Sequence, residues 1–566
     1  MAPACDKCKP AVTDANYPFD LGSYERVDVK TRDPASAAWF QRGLKWMFGF
    51  HHEEAIRCFE RALELEPDFA MAWWGISHCH SPNYNVHQKN GYYQLSNTES
   101  GFPSQKVAYD AIYKAYEFIH LTNDEGRALI EAQRIRCIWP TNDFAHLLLQ
   151  PYCDALRLVH VSYPHDEDVA CLFVEALIQL APWQLFDPHS GQPAPHVDET
   201  QKVLTEALIK APNHPGLCHL AIHLYEMAPQ LRVALPHAEV LRRGLVPDAG
   251  HLLHMPAHID VQIGQYAEAV ATSERAVAAN RKYIEFALTT GEEFRMYIGY
   301  IAHDFHMLIY AAMLGGMERK ALDYGRELMQ FVQDSLERYP QRAHDLDLYH
   351  AAFYHVLVRF GLWQEIIEEP LLDDDDKFCA SNATLHYARG LAFAAIGNIN
   401  KALEEQAAFE AARRIEKVYR RILHNNNATE MFAVGSEMLQ GEILYRKGEY
   451  DLAFTHLRSA IALEDRLPYD EPPGQMQPLR HALGALLLEQ DQLDEAEEVL
   501  RADLDRLPRN PWSLVGLRDC LARRSSPPAA GEIAAIEADL ARAVAISDTN
   551  ITHACACAGL RRISNV

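Results

Sequence analysis

The sequence predicts an all-α fold, a solenoid of stacked helix pairs. Three observations predict it. Small and aromatic residues recur at the offsets of a helix-pair repeat. No segment shows sustained two-residue alternation bounded by turn signals, so strands are not expected. The composition, 48% hydrophobic and 23% charged over 566 residues, is ordinary for a chain with a large buried core. No apolar run approaches the roughly 18 residues of a membrane span.

The repeat is clearest at Trp39, Gly43, Ala55, Phe59, Ala62 and Pro67. The small residues let two helices approach, and the proline ends the second helix. These positions resemble the tetratricopeptide repeat (TPR) family. The pattern returns at Gly264, Tyr266, Ala269 and Ala276, then at Gly316 and Ala321. Gly390, Gly397 and Ala402 mark another unit, which carries Phe409 where the pattern has a small residue. Two more are marked by Gly441, Gly448, Tyr450, Ala453 and Ala460, and by Gly484, Leu493, Ala496, Leu500 and Pro508. The stretch 104–240 also reads as helical, with a weaker repeat match. The resemblance implies a tetratricopeptide-repeat α-solenoid with a concave inner surface. Its irregular parts can close it into a compact bowl.

Pro, Gly, Asn or Asp clusters predict loops at 81–103, 181–196, 370–382 and 464–478. The acid run LLDDDDKF (371–378) reads as part of a solvated loop. The expected organisation is an N-terminal extension (1–35), a first TPR unit with a His-rich loop (36–103) and diverged helical repeats (104–247). Central TPR units with His clusters (248–369), C-terminal TPR units (370–524) and a C-terminal helix and tail (525–566) follow.

Lys plus Arg total 53 against 78 Asp plus Glu, a formal charge of -25. A basic footprint is missing, which argues against a nucleic-acid partner and against an anionic membrane surface. Twelve cysteines are too dilute for a disulfide scaffold. Cys58, Cys153, Cys171 and Cys218 read as small buried hydrophobes. Cys5 and Cys8 cannot complete a zinc site alone, and Cys555 and Cys557 close the chain. MAPACDKCKPAV lacks the apolar core of a signal peptide, so a reducing cytoplasm is the expected location.

The unusual feature is 28 histidines. In CHLAIHLYE, His219, His223 and Glu226 share one helical face. In HLLHMPAHID, His251, His254 and His258 do the same, with Pro256 disturbing the helix start. AHDFHM holds His303, Asp304 and His306, and YHAAFYH holds His350 and His355. Counted from Gly264/Ala269 and from Gly316/Ala321, the pairs His251/His254 and His303/His306 fall at positions 2 and 5 of their repeats. In the repeat family those positions lie on or near the concave groove. The resemblance thus implies imidazoles converging from adjacent helices.

His219, His223, His251, His254, His258, His303 and His306 are therefore the candidate metal ligands, with His78, His80 and His87 as additional ones. Glu226, Asp304, Tyr469 and Glu471 are the candidate catalytic groups, the last two in the proline-stiffened loop LPYDEPP. A histidine-dominated set suits copper first, with iron or zinc as alternatives, as one or two ions. Tyr84, Tyr225, Phe305, Tyr310 and Tyr354 can wall a pocket or simply pack between helices.

A further resemblance rests on FAMAWWGISHCHSPNYN, CHLAIHLYEMA, HLLHMPAHIDVQIGQYAEAV, AHDFHMLIYAAMLGG and LPYDEPP. Spread over most of the chain, these are similar to a group of bacterial and fungal TPR proteins. The group commonly reads LGPNYN where this chain has HCHSPNYN, and HNxHF where it has His303, Asp304 and His306. The resemblance implies a fold and a recurring set of sites, and no activity.

The expected function is a metal-dependent enzyme acting on a small molecule in the concave face, an oxidoreductase or oxygenase. The alternatives are a TPR scaffold holding a peptide or protein in its groove, a metal-dependent hydrolase, and a metal-binding or sensing protein. Phosphate-cradling GxxxxGK[ST], GxSxG and HExxH motifs do not occur.

Overall fold

The computed structural model describes residues 12–13, 16–86, 104–140, 145–188, 190–524 and 531–559. His87, Cys5 and Cys8 lie outside them. The described chain is almost wholly helical. Its strands are Ile422–Leu423 and Asn426–Asn427, paired antiparallel. Two residues per strand leave no alternation to read, so this hairpin was not expected. By internal contacts the chain forms two units, Met1–Ile259 with Glu274–Ile301, and Asp260–Ser273 with Ala302–Val566.

In the first unit, helices Pro34–Phe48 and His52–Leu65 pack together. Asp33 caps the first by accepting from the Ala35 and Ser36 amides, and Pro34 takes the first helical position, where its missing N–H costs nothing. The second helix ends at Leu65, ahead of Pro67. Phe59 is the buried centre of this pair. A Cβ at Gly43 would lie 2.4 Å from its ring and one at Gly75 would lie 2.6 Å from it. Glycine at both places lets the neighbouring helices close on the ring. Glu66 then accepts from the Thr31 hydroxyl at 2.6 Å and the Arg32 amide at 2.9 Å, which ties down the segment before the first helix. Successive helices from Ala70–Cys79 to Pro215–Tyr225 continue the stacking.

The second unit repeats the plan. Glu318–Arg338 packs on Ala343–Phe360, Asp375–Ala395 on Ile399–Ala412, Ala428–Lys447 on Tyr450–Glu464, and Leu479–Glu489 on Leu493–Arg506. Leu500 has the place that Phe59 has, with prospective Cβ atoms at Gly484 and Gly516 2.7 and 3.0 Å from its side chain. Phe409 is fully buried, its ring 5.8 Å from Tyr387 and 5.6 Å from Phe432. A large residue stands at a small-residue position here, and aromatic packing accommodates it.

The loop expected at 370–382 is shorter, because helix Asp375–Ala395 starts inside it. Asp374 accepts from the Asp376 and Lys377 amides. Acid side chains in the first turn favour the helix N-terminus, so most of the acid run starts a helix. Cys58, Cys153, Cys171 and Cys218 are buried free thiols, and Cys555 is bonded to Cys557. No helix among the described residues is long and apolar enough to cross a membrane.

Candidate metal centre

In the first unit His219, His223, His251, His254 and His258 stand on two buried segments. Helix Pro215–Tyr225 is buried along its whole length and carries no Asp, Glu, Lys or Arg. Its start is anchored by His214. One ring nitrogen accepts from the Leu217 amide at 3.1 Å, and the other donates to Asp168 at 2.9 Å. Asp168 is buried, but Arg26 and His214 hold its carboxyl well below the usual range. His219 and His223 thus stand one turn apart on a fixed frame. The second segment is helix Gly250–His254 followed at once by helix Pro256–Gln262. Met255 keeps helical angles, φ -49 and ψ -39, so the one-turn spacing of His254 and His258 survives Pro256.

Hydrogen-bond partners set the tautomers. His219 Nδ1 lies 2.7 Å from the Phe48 carbonyl oxygen, which can only accept. His223 Nδ1 lies 2.9 Å from one oxygen of Glu226, and His258 Nδ1 lies 2.8 Å from the other. Each of these Nδ1 atoms therefore carries its proton, and each Nε2 presents a lone pair. This is the way metal-binding imidazoles are held, with the far nitrogen donating to a carbonyl or carboxylate. Glu226, a candidate catalytic group, is thus the shared acceptor of two imidazoles.

The Nε2 atoms converge. His219 Nε2 is 3.1 Å from His223 Nε2 and 3.2 Å from His251 Nε2. Two imidazole nitrogens on one tetrahedral ion, with metal–nitrogen bonds of about 2.0 Å, stand about 3.3 Å apart. All three ligand atoms lie within 4.8 Å of one another and all three residues are buried. His254 and His258 form a second close pair, Nε2 to Nε2 2.6 Å. A His254 proton can bridge that pair. It cannot bridge His219 and His223, whose protons are both committed to Nδ1. Adding a proton is also disfavoured. Burial pushes His219 down to about 4. Burial, then the His219 and His258 imidazoles, push His223 well below the ordinary value. His251 is pushed the same way by burial and by His219.

Aromatic rings enclose this group. Phe50 is 4.5 Å from His219, stacked at 6.1 Å on His223 and at 6.0 Å on His251, measured between ring centroids. Its φ is 55°, a left-handed conformation that strains a bulky residue. Tyr84 lies 4.8 Å from His223, and Tyr300 lies 4.9 Å from His251. Phe50 and Tyr300 also line a cavity of about 330 Å³, together with His52, Asn83 and Tyr297.

Other candidates have different surroundings. His78 accepts from Arg136 at 3.1 Å and faces Glu175 at 3.6 Å. His80 accepts from the Ser104 amide at 3.1 Å. Among the described residues neither joins a group of three close ligands.

In the second unit His303 meets a residue that sequence reasoning missed, His424. His303 Nδ1 is 3.3 Å from His424 Nε2, and the Tyr349 hydroxyl also points at that nitrogen. Asp470 accepts from His424 Nδ1 at 2.9 Å and from Asn426 at 2.6 Å. His424 sits in the hairpin turn with φ 47°, so no helical period marks it; the run HNNN is the one available signal. Tyr469 donates to Glu471 at 2.5 Å and accepts from Gln262 at 3.2 Å. Asp304 and His306 are fully buried. Neither ring nitrogen of His306 has a hydrogen-bond partner among the described residues, and the ring lines a cavity of about 430 Å³ with His355, Thr384 and Gln475.

Residues 36–69 match the tetratricopeptide repeat family. No curated protein matches the chain. Similar solved structures include the human IFIT1 dimer with m7Gppp-AAAA, at 11% identity and TM-score 0.32, covering 91% of this chain and 92% of that one. The human IFIT1 dimer with PPP-AAAA has 12% identity, TM-score 0.31 and coverage of 92% and 97%. Yeast Tom70 has 13% identity, TM-score 0.28 and coverage of 92% and 93%. TM-scores this low do not establish a common fold over the whole chain. The expectation that excludes a nucleic-acid partner is withdrawn, because it rests on net charge alone. Net charge sums over the entire chain and says nothing of a local basic pocket, so -25 excludes no such partner.

Proposed function

We propose that the chain is a helical-repeat binding protein that holds one transition metal ion in its first unit, on the Nε2 atoms of His219, His223 and His251. The observation that carries this is the pair His219 and His223. Their protons are committed to Phe48 and Glu226, and their lone pairs face each other at 3.1 Å. Two neutral acceptors at that distance repel, and a shared cation turns the repulsion into two bonds.

Three imidazoles leave one position of a tetrahedral ion open, the arrangement of catalytic rather than structural zinc sites. That supports the finer reading, a small-molecule enzyme with its substrate in the cavity beside Phe50 and Tyr300. Copper or iron would supply oxidation, and zinc would supply hydrolysis. The repeats favour a scaffold for a peptide or protein, since stacked helix pairs leave a continuous binding surface.

Elemental analysis of protein purified without a histidine tag tests the metal. About one equivalent is expected, as isolated or after loading with zinc or copper(II) and desalting. No retained metal after either loading overturns the proposal.

A further inference from the structure

The second unit contains a partly open pocket of about 480 Å³, a figure that includes the solvent-facing space at its mouth. Three buried polar side chains on its wall have atoms without hydrogen-bond partners among the described residues. They are Arg359 at Nε and Nη2, Glu442 at Oε2 and His481 at Nδ1. Their exposures are 4%, 1% and 1%. Buried polar groups are nearly always satisfied, and an unpaired buried charge is the costliest exception.

Each group is held so that its unused atom is defined. The Arg359 guanidinium lies 3.7 Å over the Trp512 ring, which fixes its plane and leaves its edge for an anion. Glu442 uses its other oxygen on Arg446 at 2.7 Å. His481 places Nε2 2.8 Å from Asp503. Asp503 also accepts from Asn510 and Ser513, so it is an acceptor here, His481 Nε2 carries the proton, and Nδ1 is left as an acceptor. Val358, Leu391, Met438 and Leu479 supply apolar wall. The cavity thus offers a rigid cationic fork, two acceptors and a hydrophobic lining.

We propose that this cavity binds a small zwitterion with an apolar side chain, of the α-amino-acid class. The carboxylate takes the free edge of Arg359, the ammonium donates to Glu442 and His481, and the side chain contacts the leucines and Met438. Burial pulls both charged residues toward neutrality, Arg359 down and Glu442 up. A ligand of opposite charge at each end opposes both pulls.

Titration calorimetry on the full chain tests this with L-leucine, L-leucine methyl ester and N-acetyl-L-leucine. L-leucine binds, and loss of either charged end weakens binding about tenfold or more. Arg359→Gln loses affinity for the ester least, because the ester has no carboxylate to place there. Glu442→Gln loses affinity for the acetylated compound least. The ligand-side comparison stands even if a variant fails to fold. Equal binding of all three compounds overturns the proposal. So does the absence of binding by any of the common apolar amino acids at millimolar concentration, which would leave the cavity to ordered water.

Discussion

Phe59 in the first unit and Leu500 in the second have matching places, while the histidines of the two units do not. Each apolar residue is flanked by glycines sixteen residues before and sixteen after, Gly43 and Gly75 or Gly484 and Gly516. In each case the glycines admit the side chain to within contact. The histidines of the first unit stand on helices with their Nδ1 protons held by fixed acceptors. In the second, His424 lies in a turn and His306 has no hydrogen-bond partner among the described residues. The repeat specifies packing alike in both units and leaves polar chemistry to local residues.

The largest expected effect breaks the comparison at the histidines. His219→Ala with His223→Ala removes the metal, whereas His303→Ala with His424→Ala leaves the equivalent in place. Elemental analysis reads both. If the second pair abolishes metal and the first does not, the assignment to the first unit is wrong.

Next come the packing residues. Phe59→Ala is expected to cost about 3–5 kcal/mol and Leu500→Ala about 2–5 kcal/mol, since each leaves a cavity between helices. Hydrogen exchange can resolve which unit loosens. Near-wild-type protection in both variants would show that neither glycine-flanked place is a core.

Acid sensitivity sharpens the comparison with histidines outside the proposed ligand set. Burial holds His80 in the first unit and His355 in the second down to about 4. The unfolded chain takes up these protons near pH 6.5 and the folded chain refuses them until about pH 4. Stability contributed by the neutral form is therefore present above about pH 6.5 and lost as pH falls, up to about 3 kcal/mol per histidine. His355→Gln is expected to flatten the acid limb of a melting-temperature profile. An unchanged limb would mean that His355 is protonated when folded.

The smallest effect is Glu226→Gln. Its side-chain oxygen serves one imidazole and its amide disrupts the other, so metal affinity falls about 10–100-fold, as for other groups that orient ligands. A chelator competition titration measures it. Unchanged affinity would separate Glu226 from the site.

Much of the fold was legible, because small residues at fixed offsets report helix contacts directly. Gly43, Ala55 and Phe59 predicted the first pair, and Leu500 fell in register more than 400 residues later. Helical spacing also united His219 with His223 and His254 with His258. It did not show that Glu226 would divide its oxygens between two segments, since that depends on how they pack. His424, Arg359 and Glu442 were illegible for a related reason. A lone residue in a turn, or one charge on a buried helix face, has no period. Only the folded chain reveals which of its atoms lack a partner.

The strained turn at Phe50 bears on kinetics. Its ring covers three imidazoles, and its backbone is held in a conformation that relaxation would abandon. With Phe50 as the cover of the proposed ion, exchange is expected to follow the opening of that turn. Chelator stripping should then reach a rate ceiling independent of chelator concentration, set by the opening itself. Replacing Phe50 with glycine, which accepts the same backbone angles and has no ring, should remove the ceiling. The site would then equilibrate freely instead of retaining whichever ion was present as the chain folded.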